Sequence, residues 1–180
     1  MSVEPSPPIT IRAASAQDAP VLAPFAERVF RRTFERDPAH SPANMALHVS
    51  RSFSVAQLSA ELARAETWYF VAERAGELLG YVKLERGPTP ACVTGPSPIE
   101  LARLYVDHAW HGRGVASRLM DHAFEHARRQ GAQTIWLGVW RDNHRARRFY
   151  EKRGFVRVGE HPFLFGLEQQ TDEVYARLID

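Results

Sequence analysis

A glycine-bearing turn between a strand and a helix constrains the fold of this 180-residue chain more than any other feature. The segment Ile99–Val106 indicates a strand, and the residues after the turn indicate a helix that ends near Arg129. Small residues stand at positions 112, 114 and 116. They let a backbone approach a bulky anion closely, while the start of a helix points free N–H groups at it. The turn therefore predicts a site for a phosphate or pyrophosphate.

Two common phosphate loops do not fit this turn. A Walker A loop needs Lys and Ser or Thr after its last glycine, but Val115 and Ala116 follow Gly114. A dinucleotide-binding loop needs a third glycine at position 117, where Ser117 stands. Small residues that serve only the local structure of the turn remain the alternative interpretation.

The charge distribution also favours an anionic ligand. The net charge is only +2, but residues 110–160 carry 11 basic and 5 acidic side chains. A positive segment in a nearly neutral protein suggests that one part of the fold holds an anion. A solvated helix face is the alternative for these arginines. Nucleic acid is not expected as a partner, because the segment lacks the interleaved aromatic residues of single-strand binders.

Composition predicts one compact domain over residues 9–180, preceded by a flexible segment over residues 1–8. The chain is 44% hydrophobic and 24% charged, which is typical of globular proteins. We find no apolar run long enough for a bilayer and no secretory signal in the first ten residues. Cys92 is the only cysteine and cannot form an internal disulfide. We therefore expect a cytoplasmic protein without a membrane partner.

Hydrophobic periodicity predicts a mixed sheet with helices on its faces. Helices are expected from Ser15 to Phe34, from Ser54 to about Ala65 and over residues 143–153, with a polar loop containing Pro38 and Pro42 between the first two. Strands are expected at 9–13, 68–73, 78–85, 99–106, 134–139, 155–158 and 174–179.

The segment from His111 to Ala116 resembles the [Gln/Arg]-x-x-Gly-x-[Gly/Ala] signature of the GCN5-related N-acetyltransferase (GNAT) superfamily, with His111 replacing Gln or Arg. Glu100-Leu-Ala-Arg-Leu-Tyr-Val precedes it, and Asn143 and Phe149-Tyr150-x-x-x-Gly-Phe follow it in the order of that family. The resemblance covers residues 9–180. It implies the α/β GNAT fold, a single mixed and mostly antiparallel sheet of six to seven strands with helices on both faces.

Several shorter segments resemble the PaiA-like spermidine/spermine N-acetyltransferases. They are Trp136-Leu-Gly-Val-Trp140, Gly154-Phe-Val, His161-Pro-Phe, Gln170-Thr-Asp172, Phe30-Arg-Arg-Thr-Phe34, Ser41-Pro-Ala-Asn44 and Gly80-Tyr-Val-Lys83. This resemblance implies a polyamine as the acceptor. Alternatives are another small amine, an amine of a protein or peptide, or a non-catalytic acyl-CoA-binding regulator.

The resemblance implies acetyl-CoA as co-substrate and direct attack by a primary amine in a ternary complex. It implies that Tyr150 protonates the departing thiolate and that Glu100 acts as the general base. The residues implied in cofactor binding are Leu104, Tyr105, Val106, His111, Gly112, Arg113, Gly114, Val115, Ala116, Asn143 and Tyr150. Members of the family are often homodimers, so the oligomeric state stays open.

Each candidate also has a structural interpretation. Tyr150 suits a half-buried helix position, Asn143 suits an N-cap, and Glu100 could pair with Arg103. His111 could donate to a phosphate.

Some polar residues have weaker or unassigned roles. His122 and His126 have metal-ligand spacing but no third ligand in view, so solvated histidines and no metal are predicted. A polyamine site needs carboxylates, and those available are Glu27, Glu35, Asp37, Glu100, Glu168 and Asp172. The sequence does not indicate which of them converge.

Overall fold

The computed structural model describes residues 7–35 and 39–179. The strands in these segments are β1 (Thr10–Ala13), β2 (Thr67–Arg74), β3 (Glu77–Glu85), β4 (Pro98–Val106), β5 (Thr134–Trp140), β6 (Val156–Phe165) and β7 (Glu168–Leu178). They form one sheet in the order β1-β2-β3-β4-β5-β7-β6. β4 and β5 pair in parallel, and the other neighbouring strands are antiparallel. The predicted mixed, mostly antiparallel sheet is confirmed.

Helices cover both faces of this sheet. The α-helices of the described segments are α1 (Ala19–Phe34), α2 (Pro42–Ser52), α3 (Val55–Leu62), α4 (Val115–Arg129) and α5 (His144–Lys152). Side chains of α1, α2 and α3 pack against Tyr69 and Val71 of β2, whereas side chains of α4 and α5 share a cluster with Phe70 and Ala72. Successive strand residues point to opposite faces, so the two groups of helices lie on opposite sides. None of these helices is long and apolar enough to cross a membrane.

Helix α2 occupies a stretch for which the sequence predicts a polar loop. Its N-cap is Ser41, whose hydroxyl accepts a hydrogen bond from the Asn44 N–H at 3.2 Å, and Pro42 is its first residue. Proline is favoured there because its fixed φ suits a helix start and its missing N–H would have no helical partner. The loop prediction was wrong because this proline begins a helix.

The C-terminal hairpin is also longer than the predicted strands 155–158 and 174–179. β6 runs on to Phe165, and β7 begins at Glu168. Gly159 and Pro162 interrupt the strand pattern in the sequence. Pro162 is tolerated because β6 is an edge strand, where the lost N–H donor can be on the unpaired side.

Helix α4 turns two histidines toward the sheet. The ring centroids of His122 and His126 lie 4.5 Å and 4.9 Å from that of Phe70. Burial lowers the pKa of both imidazoles. The interpretation of these residues as solvated was wrong, because α4 packs over β2 at this point.

The structure describes only part of the N-terminal segment that was predicted to be flexible. Residues 1–6 of the segment predicted to be flexible lie outside the described residues. The carbonyl oxygen of Pro7 accepts a hydrogen bond of 2.9 Å from Arg74 Nε, so the chain contacts the sheet from this residue on. That residues 9–180 form one domain stays a prediction.

Parallel pairing of β4 with β5 positions the functional site. The register joins residues 98–100 to residues 134–136 and ends at Glu100 and Trp136. β3 follows β4 much further, as far as Val106. The edge of β4 that faces β5 therefore has no strand partner over residues 104–106, and the sheet is open there.

The turn of the β6–β7 hairpin offers a test of how this hairpin packs. Gly166 has a φ of +65°, and a Cβ added to it would lie 2.7 Å from the Cα and carbonyl oxygen of Asn44 in α2. Gly166→Ala should lower the free energy of unfolding by about 2–4 kcal/mol, through backbone strain and a clash with a neighbouring backbone. Urea denaturation measures this loss.

Gly76→Ala is the matched control. Gly76 has a φ of +83° but no atom within 4 Å of an added Cβ. This variant should lose only the strain cost of about 1–2 kcal/mol. Equal losses in the two variants would contradict the close packing of the hairpin on α2.

Candidate functional site

A groove of about 390 Å³ follows the unpaired edge of β4. On one side it is bounded by α5, and on the other by α1. The groove is lined by these predicted cofactor-binding residues: Leu104, Tyr105, Val106, His111, Ala116, Asn143 and Tyr150. Free N–H and C=O groups on such an edge can pair with an extended ligand that carries amides. The structure therefore brings these predicted residues together along one surface.

The loop before α4 has the conformation that an anion site requires. Gly112 and Gly114 have φ values of +75° and +79°, which other residues adopt only with strain. A Cβ added to either glycine would meet no atom within 4 Å, so the glycines serve the backbone conformation and not close packing. Helix α4 begins at Val115, and the N–H groups of its first turn have no helical acceptors.

His111 does not offer a free donor to a phosphate. Its Nε2 lies 2.9 Å from the carbonyl oxygen of Val106, and its Nδ1 contacts the guanidinium of Arg145. Because a carbonyl oxygen only accepts, Nε2 carries the proton and Nδ1 accepts from Arg145. Burial and the nearby Arg145 lower the pKa of the ring. Both ring nitrogens are engaged in this arrangement, so donation from His111 to a phosphate stays a prediction.

Two arginines give the groove its positive charge. Arg145 of α5 belongs to the basic segment noted in the sequence, and Arg32 of α1 lines the same groove from the opposite side. Arg32 was not predicted from the sequence, because it lies among other arginines on a helix about 80 residues before the glycine turn. Arg113, another predicted residue, places its guanidinium 5.2 Å from the ring centroid of Trp110.

Asn143 caps helix α5. Its Oδ1 accepts a hydrogen bond of 3.1 Å from the N–H of Ala146. The structural interpretation of this residue is thus confirmed. Its side chain also lines the groove, so the position leaves room for a contact with a ligand.

A second cavity, of about 300 Å³, adjoins the groove on the face of the sheet that carries α1 and α2. We call it the aromatic cavity. Its ring-bearing walls are Phe30, Phe34, His40, His48, Phe53, Trp140, Phe163 and Phe165, together with Tyr105 and Tyr150. The groove and the aromatic cavity share Leu104, Tyr105, Asn143, Ala146 and Tyr150. A ligand in one space can therefore meet a ligand in the other beside these residues.

Glu100 lines the aromatic cavity where β4 leaves β5. Burial raises the pKa of its carboxyl to about 7, and the neighbouring Glu85 contributes, against the opposing effects of Lys83 and Arg103. Glu85 is the direct cross-strand partner of Glu100. A carboxylate with this pKa can accept or release a proton near neutral pH.

The charged side chains near Glu100 already pair with one another. Glu61 Oε2 lies 3.1 Å from Lys83 Nζ and 2.9 Å from Arg103 Nη1. Lys83 Nζ is also 2.9 Å from Glu85 Oε2. Although burial opposes ionisation, Arg103 and Lys83 hold the pKa of Glu61 below its ordinary value. Arg103 therefore pairs with Glu61, and Glu100 has no ion-pair partner in the described part of the chain.

This ion network was not predicted from the sequence. Glu61 lies on the buried face of α3, and Lys83 lies within an otherwise apolar strand. Charges at such positions are rarely buried without a partner. Charged residues at these otherwise apolar positions were the signal in the sequence for a buried ion pair.

Tyr150 lies where the groove and the aromatic cavity meet. Its side chain is 8% exposed, and its hydroxyl makes no hydrogen bond to any residue the structure describes. Burial raises the pKa of this hydroxyl above its ordinary value, so it keeps its proton at neutral pH. The hydroxyl is thus available to a ligand as a donor.

Only some of the carboxylates that were named as candidates from the sequence line the aromatic cavity. Glu100 and Asp172 line the aromatic cavity. Glu27 pairs with Arg31 at 2.8 Å, and Glu168 accepts a hydrogen bond from the Asn44 side chain. Glu35 is exposed just after α1, and Asp37 lies outside the described residues.

Neither metal ligands nor a thiol contribute to the two cavities. In residues 7–35 and 39–179, no group of three His, Cys, Asp or Glu side chains is placed to hold a metal ion. Cys92 packs instead against the backbone of β6, where its Sγ would lie 2.7 Å from a Cβ added to Gly159.

Known proteins share this sequence pattern. Residues 29–155 match the acetyltransferase (GNAT) family. Over 164 residues the chain is 30% identical to an uncharacterised N-acetyltransferase in the pepI 3′ region of Lactobacillus delbrueckii subsp. lactis, covering 91% of this chain and 94% of that protein. Over 105 residues it is 35% identical to the N-alpha-acetyltransferase RimI of Mycobacterium tuberculosis, covering 58% of this chain and 61% of RimI.

A solved structure shares the fold. The crystal structure of the PaiA N-acetyltransferase from Thermoplasma acidophilum in complex with coenzyme A has a TM-score of 0.79 and 20% identity, and the match covers 95% of this chain and 99% of that one. The predicted GNAT fold is therefore confirmed. Because the family match covers most of the chain, this protein belongs to the acetyltransferase (GNAT) family and is an acetyl-CoA-dependent N-acetyltransferase.

Proposed function

We propose that this protein transfers the acetyl group of acetyl-CoA to a primary amine, specifically a polyamine such as spermidine or spermine. The amine attacks directly, with both substrates bound. The observation that carries this proposal is the placement of Glu100 and Tyr150. An unpaired carboxylate with a raised pKa lines the aromatic cavity, and a buried hydroxyl stands where that cavity meets the groove.

Glu100 acts as the general base on the acceptor. An amine arrives protonated at neutral pH and cannot attack until it loses a proton. The carboxylate of Glu100 takes this proton, directly or through a water molecule, and returns it to solvent. A pKa of about 7 suits this exchange, because the group is often ionised yet basic enough to accept a proton.

Tyr150 acts as the general acid. When bound, acetyl-CoA supplies the acetyl group as a thioester. As the carbon–nitrogen bond forms and the carbon–sulfur bond breaks, the Tyr150 hydroxyl gives its proton to the departing sulfur and regains one from solvent. Its raised pKa is well above that of a thiol, so the proton is available at neutral pH.

The groove is the proposed site of acetyl-CoA. The unpaired edge of β4 at residues 104–106 suits the amides of an extended pantetheine arm. The backbone N–H groups of Gly112, Gly114, Val115 and Ala116 suit the pyrophosphate, with the positive end of α4 behind them. The N–H of Arg113 donates a long hydrogen bond of 3.4 Å to the Trp110 carbonyl and would have to exchange it for the phosphate. Arg32 and Arg145 add positive charge beside the same groove.

Two features support a small cationic acceptor. The aromatic cavity has a volume of about 300 Å³, which suits a small molecule, and aromatic rings attract ammonium groups. It also holds two carboxylates without ion-pair partners, Glu100 and Asp172. The PaiA N-acetyltransferase of Thermoplasma acidophilum shares the fold over nearly the whole chain.

A protein or peptide amine is the second candidate acceptor. The N-alpha-acetyltransferase RimI matches 58% of this chain at 35% identity. An amino terminus also presents a primary amine on an extended chain, whose first residues could enter the aromatic cavity.

Thiol release from acetyl-CoA tests the proposed function. We expect saturable release with spermidine or spermine and background release with a peptide pool or without an acceptor. Release with peptides alone would replace the polyamine by a protein acceptor. Binding of acetyl-CoA without release under any condition would favour a regulator without turnover.

Tyr150→Phe tests the general acid. We expect kcat to fall at least about tenfold with little change in acetyl-CoA affinity, because the hydroxyl acts only as charge develops on sulfur. Steady-state kinetics and a direct binding measurement separate the two quantities. Tyr175→Phe is the control, since the Tyr175 hydroxyl contacts Glu151 and Arg147 outside both cavities. An unchanged kcat in Tyr150→Phe would remove this residue from the acid role.

Glu100→Gln tests the general base. In the wild type, kcat/KM should fall as the pH drops below about 7, because the protonated carboxyl cannot accept a proton. The variant should be less active and should reach its optimum at a higher pH, where the amine loses its proton to solvent. Glu168→Gln controls for loss of an exposed carboxylate. A pH profile that is the same in Glu100→Gln and wild type would assign the proton to another base.

A further inference from the structure

Asp172 is a buried carboxylate that the reaction described so far does not use. Its side chain lies on β7 and lines the aromatic cavity, and the residue is 8% exposed. Among the described residues, it has no hydrogen bond or ion pair. The cations that face the cavity, Lys83 and Arg103, already pair with Glu61 and Glu85.

A carboxylate in this position lowers stability unless it binds something. Burying an ionised carboxylate without a partner is costly. Burial alone raises the pKa of Asp172 to about 6, so the group is still mostly ionised at neutral pH. Rings surround it: its cross-strand neighbours are Trp140 on β5 and His161 on β6, and Tyr105 lies nearby. Burial lowers the pKa of His161, so its ring is uncharged at neutral pH and supplies no cation.

Asp172 and Glu100 lie at separate places in the same cavity. β5 stands between β4 and β7, and its Gly138 lines the cavity, with the His161 ring lying where a Gly138 side chain would be. Glu100 pairs with Trp136 of β5, whereas Asp172 pairs with Trp140, four residues further along. Two strand spacings and four residues separate the backbones by roughly 16 Å, and both side chains reach into that gap.

We infer that Asp172 binds a second ammonium group of the acceptor while the reacting amine lies at Glu100, so that the enzyme selects acceptors with two positive charges. This inference rests on the proposed function and assigns a specificity-determining residue within it. The rings of Trp140 and His40, whose centroids are 4.6 Å apart, line the same end of the cavity. An ammonium group at Asp172 would thus have both a counter-ion and an aromatic surface.

Asp172→Asn tests the inference, because asparagine keeps the shape of the side chain and removes its charge. The acceptors are the matched pair 1,6-diaminohexane and hexylamine, with spermidine as a longer triamine. The ratio of kcat/KM for the diamine to that for the monoamine should fall about 10- to 100-fold, mostly through KM. Asp172→Glu, which keeps the charge, should retain more of this preference. Glu168→Gln, an exposed carboxylate on the same strand, should leave the preference at the wild-type ratio.

Equal losses for hexylamine and the diamine in Asp172→Asn would overturn the inference, because they would indicate a merely structural role. If wild-type protein acetylates no amine, the proposed function fails, and titration calorimetry with spermidine then tests the inference by itself. Binding to wild-type protein that is lost in Asp172→Asn would still support Asp172 as the ammonium site. Equal binding to both proteins, or to neither, would overturn it.

Discussion

Parallel pairing between β4 and β5 joins three residues of each strand and ends at Glu100 and Trp136. Beyond that point, β4 keeps its hydrogen bonds to β3 while its other edge is open. Unpaired backbone groups must find a partner in water or in a ligand. The interruption therefore creates the groove, and it also places Glu100 at the inner end of the opening. Both proposed substrate sites depend on this one break in the sheet.

Charge pairing in the interior decides which groups remain available for chemistry. Glu61, Lys83, Arg103 and Glu85 satisfy one another, so their charges are compensated inside the fold. Among the described residues Glu100 is left without an ion pair, and burial, together with the like charge of Glu85, raises its pKa to about 7. Because the folded state then holds this proton more tightly than the unfolded chain, Glu100 makes the fold less stable as the pH rises from about 4.5 to 7. The raised pKa that suits the proposed base thus lowers the stability of the fold.

Local patterns in the sequence were enough to predict most of the fold and the residues that line the groove. The strand, glycine turn and helix around Gly114 form a continuous segment, so their arrangement follows from residues close together in the chain. Pro42 and Pro162 misled the prediction, because the effect of proline depends on whether its N–H is needed. One begins a helix and the other lies in an edge strand, and only the tertiary structure distinguishes these positions from a loop.

The acceptor side could not be predicted in the same way, because its residues come from distant parts of the chain. Glu100 and Asp172 meet in one cavity only through the order of β4, β5 and β7. Arg103 and Glu61, which pair with each other, are likewise 42 positions apart in the sequence. Periodicity and spacing describe neighbours along the chain, so such convergence is visible only when the topology is known.

The two cavities meet at Tyr150, and this arrangement supports direct transfer of the acetyl group from one bound substrate to the other. The groove and the aromatic cavity share one side of β4 and the inner face of α5, so bound ligands approach each other without a carrier between them. Cys92, the single thiol, packs against β6 and lines neither space. Glu100 is held on a strand and Tyr150 on a helix whose start is fixed by the Asn143 cap. Rigid elements thus hold the proposed base in the aromatic cavity and the proposed acid where that cavity meets the groove, which suits attack by a bound amine.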